Sequence, residues 1–313
     1  MRIKMPKERK DQHFVSQFYL KNFAYHKNGK NKEDDEYYLW AYDKSKGNYF
    51  EPNIGGICQE KYLYETSKDD LRFETESSKY IKFNDIENYF CDREGVYSKT
   101  IRRIIRIIEN PLNRDALVCN AYDKRILCEF VANFLVRNPW LFKRTEPAIL
   151  NLIQENESLI ETIKNNVKES GLEDVSPIIN HAIKNIEFKT ESSSNSVINI
   201  VQRYLSRINL YFLYCKNASF ITSCFPVQYM LDADSKMEFI TAAFIPIAPH
   251  IGIMFNKDYR KFRNRIIPIQ ESEVYDRNRY YLLDSSDRTR FILSRDKETL
   301  EKVICSGDTH DQL

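Results

Sequence analysis

The sequence predicts an α+β fold, with a helical middle region packed against N- and C-terminal antiparallel strands. Two observations lead there. Aromatic and β-branched runs broken by turn residues crowd the chain before residue 66 and after residue 209. Between about residues 80 and 210, apolar residues recur instead at three- and four-residue spacing.

The elements follow in order. Arg2, Lys4, Lys7, Arg9 and Lys10 outnumber Glu8 and Asp11, so residues 1–11 read as a basic tail. Such a tail is a solvated terminus or an arm on a polyanion. Residues 12–313 read as a single α+β domain. Tyr37, Tyr38, Trp40 and Tyr42 form an aromatic strand, a turn ends at Gly47, and Tyr49 and Phe50 start the return strand. Gly55 and Gly56 allow close backbone approach, but no Gly-Lys-Ser/Thr follows to make a phosphate loop.

Ile86, Phe90, Tyr97, Ile101, Ile104 and Ile108 line one face of a helix that Asn110-Pro111 ends. Asn113 is expected to cap the next helix, whose buried face runs from Leu117 through Ile126, Phe130 and Phe134 to Arg137-Asn138-Pro139. Helical segments are expected at 140–168, 174–188 and 197–208, with a polar surface loop at 189–196. Strands are expected at 210–214, 219–223, 239–247 and 250–256, and a final helix at 270–283.

Composition narrows the function classes. The chain of 313 residues carries a formal charge of +2, which is no signature of a general nucleic-acid binder. A chain this long buries about three quarters of its unfolded surface and needs no disulfide or metal for stability. Its seven cysteines are odd in number and irregularly spaced, with no C-x-x-C, which suits reduced thiols in the cytoplasm. No 18-residue apolar run suggests a membrane span. There is no G-x-S-x-G elbow, Walker loop, H-E-x-x-H or R-x4-H, and no dense metal-ligand cluster, so neither a metal nor a cofactor is expected. Glu187-Phe188-Lys189 gives an E-x-K, but on a helix end rather than the strand a restriction-type nuclease uses.

Four residues are candidates for chemistry. His13, one of five histidines, suits acid–base work near neutral pH or a structural hydrogen bond. Glu87 and Glu94 lie seven residues apart, about 10 Å along one helix face, and could bracket a cation or hold an arginine. Arg137 ends an apolar helical face and could pair with Glu87 or Glu94 or hold an anionic substrate. Thr222 and Ser223 precede Pro226 at a strand end, where a hydroxyl could bind phosphate or cap a turn. Lys257, Arg260, Lys261, Arg263 and Arg265, interleaved with Tyr259 and Phe262, form a possible nucleic-acid or nucleotide contact, or a solvated turn.

Several of these residues fall in segments that resemble the family called domain of unknown function 4238. The segments are Gln12-His13-x-Val15 with Tyr19-Leu20-x-x-Phe23, then 53–58 with Tyr62-Leu63-Tyr64, the helix with Glu87 and Glu94, Phe130-x-x-x-Phe134-x-x-Arg137-Asn138-Pro139, and 220–227. Three positions depart from the family's usual pattern. Ser16 stands where members usually carry proline, and Cys224-Phe225 stands where they read Asp-Asn. The resemblance implies a shared polar centre of His13, Glu87, Glu94 and Arg137, with Gln12, Thr222 and Ser223 as binding groups. It supplies no activity. Two functions stay open: a defence- or toxin-type enzyme acting on a nucleotide or phosphodiester, and a non-catalytic binding or interaction module.

Overall fold

The computed structural model describes residues 9–27, 36–64, 84–110, 112, 117–144, 161, 165, 178, 181, 184, 188–189, 196–231, 240–257 and 264–308. In the N-terminal part the strands are β1 (Asp11–His13), β2 (Tyr25–Lys27), β3 (Glu36–Tyr38), β4 (Trp40–Asp43), β5 (Asn48–Phe50) and β6 (Gln59–Lys61), with the short helix α1 (Gln17–Leu20) after β1. Then come α2 (Asp85–Glu109), α3 (Ala121–Val136) and α4 (Val197–Arg207). The C-terminal part holds β7 (Asn209–Tyr214), β8 (Thr222–Ser223), β9 (Gln228–Leu231), β10 (Ile240–Ala248), β11 (Ile251–Asn256), β12 (Ile266–Pro268), α5 (Glu271–Leu283), β13 (Phe291–Ser294) and α6 (Lys297–Asp308).

The α+β architecture expected from the sequence is what forms. A five-stranded sheet runs β12-β7-β11-β10-β9, and only its β12–β7 pair is parallel. A four-stranded sheet, β5-β4-β13-β8, combines strands from both ends of the chain. It is closed by register pairs such as Leu293 with Ala41 and with Thr222. This cross-chain sheet ties the termini together, while α2 and α3 carry the largest buried faces.

Local chemistry sets the ends of these helices. Asn110 closes α2 in extended backbone just before Pro111, as proline's exclusion of the preceding residue from helix requires. The next cap is Asn120 rather than Asn113, because only Asn120 has an acid three residues on. Its side chain accepts from the Asp123 backbone while Asp123 reaches back to the Asn120 backbone. Leu117 therefore precedes the helix and is exposed, not part of its buried face. Asp123 also pairs with Arg103 of α2 at 2.5 Å, joining the two helices.

Two further differences from the expected elements matter below. The expected strand at 219–223 narrows to the two residues of β8, since Ser219 and Phe220 are used by α5 and by the Pro249 carbonyl instead. The helix at 270–283 forms as α5 but is not the last element, because β13 and α6 follow it. The chain also docks earlier than its charge pattern suggests. The Arg9 backbone donates to Asn84 at 2.9 Å and the Lys10 carbonyl accepts from Tyr62 at 2.9 Å, both within the span read as a tail. Residues 1–8 and most of the 140–188 helical and 189–196 loop expectations lie outside the described residues.

Candidate functional site

The polar centre is assembled from four segments. β1 delivers His13, the start of α1 delivers Ser16, α2 presents Glu87 and Glu94, and the end of α3 presents Arg137. Tyr64, three residues beyond β6, closes it. Cys58 and Tyr62, which flank β6, both have positive φ, near 57° and 53°. That costs about 1–2 kcal/mol each for residues other than glycine, and it curls this segment back around β1.

Arg137 is the anchor, with only 2% of its surface exposed. Its Nη1 donates to Glu94 Oε1 at 2.6 Å, and lies 3.4 Å from both Ser16 Oγ and Asn133 Oδ1. Its Nη2 donates to the His13 carbonyl, and its Nε to the Tyr64 hydroxyl at 3.3 Å. The guanidinium plane lies over the Phe90 ring, 4.1 Å from its centroid, and Tyr64, Phe90 and Phe188 pack edge-to-face around it. All three guanidinium nitrogens are engaged: Nε by Tyr64, Nη2 by the His13 carbonyl, and Nη1 by three acceptors that share its two N–H groups.

The neighbours are held in turn. Ser16 donates to Glu94 at 2.7 Å and so gives the ion pair an extra partner. Gln12 is fully buried. Its Oε1 accepts from the Tyr64 backbone at 2.7 Å and its Nε2 donates to the Arg9 carbonyl at 3.3 Å. His13 is half-buried, with Nε2 3.2 Å from the Gly55 carbonyl and 3.4 Å from the Gln17 side-chain amide nitrogen. Burial, more than the nearby Arg137 charge, lowers the His13 pKa below the ordinary imidazole value. Burial also raises the Glu87 pKa, opposed by Arg137 and reinforced by Glu94.

His13, Glu87, Glu94 and Arg137 are thus brought to one place, although 124 positions separate His13 from Arg137. Arg137 pairs with Glu94, the second of the two acids the sequence offered it. Thr222 and Ser223 are not at this centre. Both are fully buried on β8: Thr222 meets the Tyr19 hydroxyl at 2.7 Å, and Ser223 donates to the Phe225 carbonyl at 2.7 Å while accepting from the Phe225 backbone at 3.1 Å. Cys224 is buried beside them, with its sulfur accepting from the Phe291 backbone at 3.2 Å. Burial pushes this thiol up to about 11, so it is neutral.

Sequence reasoning missed Ser16, Tyr64 and Asn133 as partners. Asn133 was accessible by spacing, one turn before Arg137 on the same helix. It also missed a cavity of about 340 Å³ between α5 and the β9–β10–β11 face, lined by Arg277 among others. Of the basic cluster, Arg260, Lys261 and Arg263 lie outside the described residues, and the Lys257 carbonyl accepts from Asn209 at 3.0 Å. Among the described residues, no group of three or more His, Cys, Asp or Glu is arranged to hold a metal ion, and no helix is long and apolar enough to cross a membrane. All seven cysteines are free, five of them buried.

Comparison with known proteins adds a family but no activity. No curated protein and no solved structure is significantly similar to the chain. The model of the family described as "Protein of unknown function (DUF4238)" matches residues 11–298, and the chain belongs to that family.

Proposed function

We propose that this family member is a non-catalytic binding protein, and that its Arg137 centre is a clasp holding the N-terminal segment onto α2 and α3. One observation carries the reading: five donor contacts of Arg137 end on acceptors of the chain itself. A guanidinium so engaged, and only 2% exposed, has little surface to offer a substrate phosphate or carboxylate. Gln12, Thr222 and Ser223 are likewise buried and occupied. The seven free thiols suit a reducing compartment, the cytoplasm.

A second reading keeps the defence- or toxin-type enzyme acting on a nucleotide or phosphodiester. It draws on His13 and Glu87, which are partly exposed and both shifted toward their neutral forms beside one ion pair. Opposed shifts of this kind are common at acid–base sites. Incubating the purified chain with single-stranded RNA, single-stranded DNA and ribonucleoside triphosphates, with and without magnesium, separates the two. The binding reading expects no turnover. Turnover that disappears in His13→Asn at an unchanged melting temperature overturns it in favour of the enzyme.

A further inference from the structure

The cavity beside α5 contains an arginine that the fold leaves without a partner. Its floor is the face of the five-stranded sheet that carries Ala242, Phe244 and Met254, with Met230 of the edge strand β9 at one side. Ala242 is the small residue that leaves the space open. Arg277 lies over the Phe244 ring, 4.4 Å from its centroid. The other side of that ring rests on Gly252, where a Cβ would come within 2.3 Å of it, so the backbone itself supports the stack.

The helix that bears Arg277 is fixed in place. The Arg277 carbonyl accepts from Gln228 at 2.7 Å. The adjacent Asn278, fully buried, accepts from the Ile221 backbone at 3.0 Å and donates to the Ser219 carbonyl at 2.8 Å. Yet the buried Arg277 Nε has no hydrogen-bond partner, and among the described residues the guanidinium forms no ion pair. Burial accordingly lowers its pKa. Leaving that buried donor unmade is expensive, and the guanidinium as a whole lines the cavity, so its remaining N–H groups are available to an acceptor from outside the chain.

The lining also limits what that acceptor belongs to. Glu273 and Asp276 line the same cavity, and both are exposed. With Arg277 they leave the lining one negative charge in excess, which opposes a doubly charged phosphate. We propose that the cavity binds a small zwitterion of the apolar α-amino-acid class. Its carboxylate takes the Arg277 fork, its ammonium faces Asp276 and Glu273, and its side chain lies on Ala242, Met230 and Met254.

This gives the binding reading a ligand, and rests on that reading only for its place in the function, not for the cavity's ability to bind. The test is isothermal titration of the full chain with L-phenylalanine, L-leucine and L-methionine, alongside phenethylamine and AMP. At least one amino acid should bind saturably. Phenethylamine, which lacks the carboxylate, should bind at least about tenfold more weakly than phenylalanine. Arg277→Met should abolish binding while leaving the melting temperature unchanged or higher, since it keeps an apolar side chain at the site and removes an unpaired charge. Should that variant not fold, Arg277→Lys serves in its place, keeping the charge but losing the fork, and should weaken binding at least about tenfold. Silence from all three amino acids, tighter binding of AMP, or full binding by the folded Arg277 variant overturns the proposal. None of these results bears on the clasp, whereas His13-dependent turnover rejects the binding reading without touching the cavity.

Discussion

Arg137 and Arg277 each place the guanidinium carbon over a phenylalanine ring, 4.1 Å and 4.4 Å from its centroid, and there the likeness ends. Arg137 is buried with all three guanidinium nitrogens engaged by the chain. Arg277 is half-buried, carries an unsatisfied Nε and faces open space. Arg137 joins segments far apart in sequence, so it contributes to folding. Arg277 sits on a helix already fixed by Gln228 and Asn278, so folding does not need its charge. Engagement by the protein, rather than proximity to other charged residues, separates an arginine that holds a fold from one that waits for a ligand.

Experiments can break or sharpen this contrast. The largest effect expected is Arg137→Met, which strands Glu94 against Ser16 and frees the His13 carbonyl. Removing one partner of a buried pair typically costs about 3–5 kcal/mol, and denaturant unfolding should read a loss of that order. A loss under about 1 kcal/mol would show that the clasp is not structural.

A second buried pair gives a smaller effect. Arg93 of α2 donates from Nε to Glu129 Oε1 at 2.5 Å and again from Nη2, while the Tyr97 hydroxyl donates to the same Oε1 at 2.8 Å. Because Arg93 is partly open to water, Glu129→Gln should cost about 2 kcal/mol by the same measurement. A neutral substitution would show that α2 and α3 are held by their apolar faces alone.

Cys224→Asp is expected to cost about 1–2 kcal/mol at pH 7. Burial raises the Cys224 thiol's pKa despite the Phe291 and Arg290 backbone N–H groups and nearby Lys44, so the same slot raises a carboxyl's pKa in the folded state. The loss should therefore shrink as pH falls through that raised value. A gain at pH 7, or equal losses at pH 7 and pH 3, would refute this.

The smallest effect is the pH response of His13. Its folded pKa lies below the unfolded value of 6.5, so its contribution is complete above that value and is lost as pH falls through the folded pKa. His13→Asn should flatten stability against pH on that acid side. An unchanged slope would place the titration elsewhere.

The two centres also differ in how far the sequence revealed them. The polar centre was legible as a set of residues, because His13, Glu87, Glu94 and Arg137 stand out as charged or titratable groups beside apolar runs. Its meaning was not legible, since whether Arg137 has spare donors depends on Ser16, Tyr64 and the His13 carbonyl, which are unremarkable until the chain folds. The long helices α2 and α3 were readable from their periodic apolar faces, while β8, β9 and β12 are two to four residues long and have no period to read. Arg277 was invisible because its helix carries Arg279, Glu273 and Asp276 on nearby positions and reads as a solvated face. Only the small side chain of Ala242, brought beneath it by sheet register, makes the space it lines.

One arginine holds the fold and the other does not. Thermal unfolding of Arg137→Met and Arg277→Met, side by side in the same buffer, tests this most directly. Opposite outcomes are expected: a fall of several degrees for Arg137→Met, and no fall or a rise for Arg277→Met. Equal losses in both, or a loss confined to Arg277→Met, would contradict it.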